Sequence, residues 1–139
     1  MIDKRITDFI KEHHLLTLST SKENIPYCSN MFYVYNKENH SLIFSSDIKT
    51  KHAKDFIENS NVAASIALET KDVKKIQGVQ LLGTITELKG KDFNNATKQY
   101  LKEFSYAEKM KLHLWEMKLT FIKMTDNKLG FGKKLIWEV

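Results

Sequence analysis

Residues 45–54 read SSDIKTKHAK and crowd Lys49, Lys51, His52 and Lys54 together with Asp47 as the one acid in the window. An apolar run, SLIFSS, precedes them, and Ala53, Phe56 and Ile57 follow at helical spacing. With Thr50 as N-cap, Lys51, His52 and Lys54 fall in the first turn of a helix, where the positive end of the dipole disfavours a cation by about 0.3–1 kcal/mol. A phosphate reverses that sign. It would meet free backbone N–H groups, the hydroxyls of Ser45, Ser46 and Thr50, and ammonium groups together, and each charge-assisted hydrogen bond contributes about 1.5–3 kcal/mol. The same lysines splayed into water form an ordinary solvated face, and spacing alone leaves both readings open. The stretch is not a P-loop, because no GxxxxGK[ST] pattern occurs.

The other reactive side chains read as structural. His13 and His14 close the first helical pattern, where an imidazole faces the negative dipole end. His40 sits in a turn and is expected in solvent, and His113 has no HxxxH or cysteine partner, so a metal site is not expected. Cys28 has no adjacent base to activate it and is expected to be a half-buried strand residue. Asp126 and Asn127 read as turn formers, and Trp115 and Trp137 as core or interface. No Ser-His-Asp arrangement or Gly-x-Ser-x-Gly elbow is visible.

The elements that must hold the basic stretch are mostly strands. Ile6, Phe9, Ile10 and His13 predict an amphipathic helix over 3–13 with Asp3 as N-cap. LLTLST (15–20), YCSNMFYVY (27–35) and SLIFSS (41–46) read as strands, the last two as a hairpin across NKENH. VAASIALE (62–69), VQLLGTITEL (79–88), LWEMKLTFIKMT (114–125) and KLIWEV (134–139) complete the strands. KDFNNATKQYLKEF (91–104) puts Phe93, Ala96, Tyr100, Leu101 and Phe104 on one helical stripe. In the 114–125 strand Trp115, Met117, Leu119 and Phe121 alternate onto one face and Leu114, Ile122 and Met124 onto the other, which predicts burial on both sides. The pattern is mainly β with about three helices, as in a small barrel of antiparallel strands plugged by helices.

Composition bounds the rest. The 139 residues fit a single domain, 1–139, and 42% are apolar, which supports an ordinary core. One cysteine excludes an internal disulfide framework, no apolar run approaches a membrane span, and MIDKRITDFIKEHH has no signal-peptide core; a cytoplasmic protein is expected. The net charge is +5, yet Arg5 is the only arginine among 22 Lys and Arg. Readers of nucleic-acid base edges favour arginine, so a nucleic-acid partner is not favoured.

The order YCSNMFYVY, SLIFSS, SDIKTKHAKDF, VAASIAL, IQGVQLLGTI resembles the FMN-binding split-barrel superfamily typified by pyridoxamine 5'-phosphate oxidase. KTKHA, IQGVQ and TDNKLGFGKKLIW are similar to its YhbP-like branch, and the resemblance covers nearly the whole chain. It implies an antiparallel Greek-key split β-barrel, a homodimer, and FMN held in a groove between the two copies. By position, Ser29, Asn30 and Met31 match the segment lining the flavin ring, and Ser45 and Ser46 the strand end near the phosphate and ribityl chain. Thr50, Lys51 and His52 match the phosphate clamp, Gln77 and Gly78 a glutamine near the flavin, Lys133 a late arginine, and Thr125 a tryptophan that contacts the cofactor. Both arginine positions are lysine here and the clamp lysine is His52. Lysine lacks the bidentate guanidinium fork, and histidine carries charge at neutral pH only if its surroundings raise its pKa. The residues that bind substrate phosphate in the oxidase have no match, so the resemblance implies a flavin-binding oxidoreductase-like protein of unassigned substrate. Relatives with this barrel also handle haem, and a barrel that has exchanged flavin for another anionic ligand or nucleic acid is a further alternative.

Overall fold

The computed structural model describes residues 1–139. Helix α1 (Lys4–Glu12) is capped by Asp3, whose carboxylate accepts from the Arg5 N–H at 2.9 Å, and it buries Ile6, Phe9 and Ile10 as its spacing predicts. Strands β1 (Leu15–Lys22) and β2 (Ile25–Phe32) form an antiparallel hairpin. Its two-residue turn, Glu23–Asn24, has φ of 51° and 64°, the left-handed pair that matches strand twist.

The expected long strand over 27–35 is in fact two strands. β2 ends at Phe32, Tyr33 leaves the ladder, and β3 (Val34–Asn36) pairs with β4 (Ser41–Ser45). Tyr33 is 2% exposed, its N–H donates to the His14 carbonyl at 3.1 Å and its hydroxyl to the Ile10 carbonyl at 2.6 Å. Helix α2 (Lys51–Glu58), β5 (Asn61–Ala67), β6 (Gln77–Glu87), α3 (Gly90–Glu103), β7 (Leu114–Asp126) and β8 (Lys134–Glu138) follow. The strand order is β2-β1-β5-β6-β7-β4-β3, with β8 on the second half of β7, and every pairing is antiparallel. β2 and β3 are therefore the two ends of the path, yet only Tyr33 separates them in sequence. The sheet must curl until its ends meet, which makes it a split barrel.

The core splits in two. Twenty-four residues fill the barrel, including Phe56 of α2 and the α1 stripe. Six more, among them Ile43, Ala96, Tyr100 and Leu114, form a smaller cluster beneath α3, with Phe93, Leu101 and Phe104 packed against it. Leu114 thus lies on the outer face as alternation predicts. Ile122 and Met124 do not: they join Trp115, Met117 and Leu119 inside the barrel. The reason is a bulge. Leu82 pairs with Phe121 and Gly83 with Leu119, so Thr120 is an extra residue and the alternation flips there. Its hydroxyl donates to the Leu82 carbonyl at 3.2 Å. Only glycine fits opposite the bulge, since a Cβ on Gly83 would lie 2.4 Å from the Lys118 carbonyl oxygen. No helix is long and apolar enough to cross a membrane. Gly83→Ala is expected to cost about 1–3 kcal/mol by overpacking the bulge, measured as a lower urea midpoint with unchanged slope; an unaltered midpoint would show that the bulge does not demand glycine.

Candidate functional site

The basic stretch folds as its N-cap chemistry dictates. Thr50 Oγ1 accepts from the Ala53 N–H at 3.3 Å and donates to the Asp47 carbonyl at 2.7 Å. Asp47 in turn accepts the Lys49 N–H at 2.8 Å. The first-turn amides of Lys51 and His52 have no intrahelical acceptor. His52 Nε2 pairs with Ser46 Oγ at 2.9 Å and lies 3.3 Å from Thr50 Oγ1. Ser46, Thr50 and His52 therefore converge. Burial pushes the His52 pKa below the usual imidazole value, and the negative charge of Asp55 only partly offsets this.

Lys51 is directed elsewhere. Its ammonium lies 3.1 Å from both oxygens of Asp55, one helical turn on, and 4.8 Å from the Tyr27 ring centroid. Asp55 is 1% exposed and also accepts the Thr20 hydroxyl at 2.9 Å. The window holds Lys49, Lys51 and Lys54 against Asp47, but the folded helix start adds Asp55, so three cations meet two carboxylates and +1 remains.

The remaining candidates fall into separate places. Ser29 lies on β2 with its Oγ enclosed and without a partner. Asn30 is exposed on the outer face, where its side chain accepts the Thr17 hydroxyl at 2.9 Å, and Met31 is core. Ser45 Oγ accepts the His113 N–H at 3.4 Å. Gln77 donates to Asp126 Oδ2 at 3.1 Å, Gly78 pairs with Ala67 and Thr125, and the Lys133 carbonyl accepts the Asp126 N–H at 3.1 Å. Gln77, Gly78, Thr125 and Lys133 thus gather at the end of β7, whereas Ser45 pairs with Leu114 at its start. The two groups are roughly 35–40 Å apart along the strand.

Other expectations need correcting. Cys28 is exposed rather than half-buried, and His40, expected in solvent, has an enclosed Nδ1 and a ring 5.6 Å from Trp137. His113, isolated in sequence, hydrogen-bonds Glu87 through Nε2 and stacks on Trp115 at 4.7 Å and 10°. That pair was legible only through register: the β6–β7 ladder puts Glu87 opposite Trp115, two residues from His113.

Burial pushes the Asp55 carboxyl up, but the Thr20 hydroxyl and the Lys51 ammonium together bring it below the usual carboxylate range. A folded pKa below the unfolded value, about 3.9 for aspartate, means the stabilisation is present above that value and is lost as pH falls through the lower, folded one. Urea midpoints measured from pH 7 to pH 2.5 should fall more steeply for the wild type than for Asp55→Asn; parallel acid limbs would contradict this assignment.

The sequence pattern of the family described as "Pyridoxamine 5'-phosphate oxidase" matches residues 2–126. UPF0306 protein YhbP of Salmonella paratyphi A is 37% identical over 129 residues, covering 93% of this chain and 88% of that protein. Among solved structures, a heme binding protein from Mycobacterium smegmatis superposes with TM-score 0.80 at 14% identity, over 99% of this chain and 59% of that one. A FAD-binding protein from Mesorhizobium loti does so with TM-score 0.70 at 13% identity, over 89% and 94%. At such identities the two structures share a fold with this chain and nothing finer. The curled antiparallel sheet, the capped helix after β4 and the sequence match over nine-tenths of the chain agree, and the protein belongs to the pyridoxamine 5'-phosphate oxidase family, in its YhbP branch.

Proposed function

We propose that the chain binds FMN as a homodimer and acts as a flavin-dependent oxidoreductase-like protein. The observation that carries this reading is the convergence of Ser46, Thr50 and His52 at the start of α2, whose first two amides have no intrahelical acceptor to compete with a dianion. The orphaned Ser29 hydroxyl supports it, because an enclosed polar atom without a partner calls for one. When bound, the flavin supplies the electron-carrying chemistry. The chain's own part is to hold the phosphate in this cradle through the amides of Lys51 and His52 and to complement it with the His52 ring and the Lys51 ammonium. Lys51 would have to share its charge between Asp55 and the phosphate, a weaker hold than a guanidinium fork provides.

A second copy completes the groove, since Gln77, Gly78 and Lys133 stand at the far end of β7 from the cradle. The outer sheet face suits such a partner. Cys28, Ser19, Ala63, Leu82 and Phe121 form one cross-strand row around a groove of about 350 Å³, and Leu82 is 49% exposed. Small side chains flanked by exposed apolar ones allow a close sheet-to-sheet approach. The haem reading draws on the fold shared with the heme binding protein, and an absorption spectrum distinguishes it: an intense Soret band after haem addition, with no flavin binding, would replace FMN as the ligand.

Titration of FMN with fluorescence detection should saturate in the micromolar range. Lys51→Ala should weaken it about 10–100-fold, the equivalent of one charge-assisted hydrogen bond. A phosphate would raise the pKa of His52, so binding takes up a proton and tightens as pH falls from 8 to 6.5, a slope that His52→Ala should flatten. No quenching at tens of micromolar FMN, or indifference to Lys51→Ala, would end the cradle assignment. Light scattering should give twice the 16.2 kDa chain mass, and Leu82→Glu should yield a folded monomer with lowered FMN affinity; a wild-type monomer would refute the shared groove.

A further inference from the structure

The Glu87–His113 pair borders a cleft of about 410 Å³ distinct from the cradle. Its walls are Ile48 in the loop before α2, Phe56 and Ile57 on α2, and Ile85 on β6, with Trp115 of β7 at the base. Phe56, Ile85 and Trp115 are buried, but Ile48 and Ile57 are 49% and 57% exposed, so aliphatic surface on two segments stays open to water around the cleft. The base is rigid. Trp115 Nε1 donates to the Ser46 carbonyl at 2.9 Å, Phe56 meets the indole edge-on at 4.7 Å, and the His113 ring lies flat against it.

The polar side of the cleft is the Glu87–His113 pair. Glu87 engages His113 Nε2, and a neutral imidazole donating there would present its lone pair on Nδ1. No group of the chain engages Nδ1. The charged groups facing the pair are Glu87 itself and Lys89, whose ammonium is 3.4 Å from Glu87. The His113 contact holds the Glu87 carboxyl below the usual carboxylate range, so Glu87 stays ionised. A carboxylate ligand would meet that negative charge, whereas a neutral hydroxyl would not.

We propose that this cleft binds a small, flat, apolar molecule bearing one hydroxyl donor, a phenol-class ligand, with the ring against Ile48, Ile57 and Ile85 and the hydroxyl donating to His113 Nδ1. The volume suits one or two rings. The site does not depend on flavin, so it stands or falls separately from the function proposed above.

The probes are p-cresol and toluene, which differ by one hydroxyl. Each is titrated into the full chain without added flavin while the indole N–H resonance of Trp115 is followed, Trp137→Phe identifying which of the two signals it is. Saturable shifts with p-cresol at least 10-fold tighter than with toluene are expected, and His113→Phe should bring the two to equal affinity. The wild-type comparison alone is decisive if that variant is poorly folded. Equal binding of both probes to wild type, no saturable shift with p-cresol, or discrimination that survives in folded His113→Phe would each overturn the proposal.

Discussion

The structure depends on one closure. β2 and β3 occupy opposite ends of the seven-strand path, and a single residue, Tyr33, links them. A flat sheet could not satisfy that connection. Curling is therefore imposed by the chain, and Tyr33 is fastened at the seam by its backbone bond to His14 and its hydroxyl bond to Ile10. Buried without those partners, a tyrosine hydroxyl would cost about 1–3 kcal/mol. With them, it ties the α1 plug to the joint between the two edges.

β7 transmits that curl to the candidate site. It pairs with β6 along nearly its whole length, with β4 at its start and with β8 at its end. The Thr120 bulge falls where the partner changes, between Lys118, the last residue paired with β4, and Phe121, the first paired with β8. The flip in alternation keeps both halves of the strand apolar toward one core while releasing Phe121 to the outer face. The same length separates Ser45, at the start of β7, from Gln77 and Lys133 at its end.

At the α2 start, burial and pairing change what the charges mean. Lys51 is answered by Asp55, a carboxylate that could remain ionised at 1% exposure only with Thr20 and Lys51 as partners. His52, half-buried, favours its neutral form and pairs with Ser46. The start of α2 is thus polar and only weakly cationic.

Periodicity and capping chemistry in the sequence were enough to locate the helices, Asp3 and Thr50 as caps, and most strands, because these are set by neighbours within a few residues. The order of YCSNMFYVY, SLIFSS, SDIKTKHAKDF, VAASIAL and IQGVQLLGTI carried the split-barrel resemblance, and KTKHA, IQGVQ and TDNKLGFGKKLIW the YhbP branch. Tertiary structure alone decided the rest. The break at Tyr33, the bulge at Thr120, the capture of Lys51 by a buried Asp55, and the meeting of Glu87 with His113 across 26 residues all arise from contacts between segments. Local pattern cannot encode them, because each depends on which strand the closing sheet brings alongside.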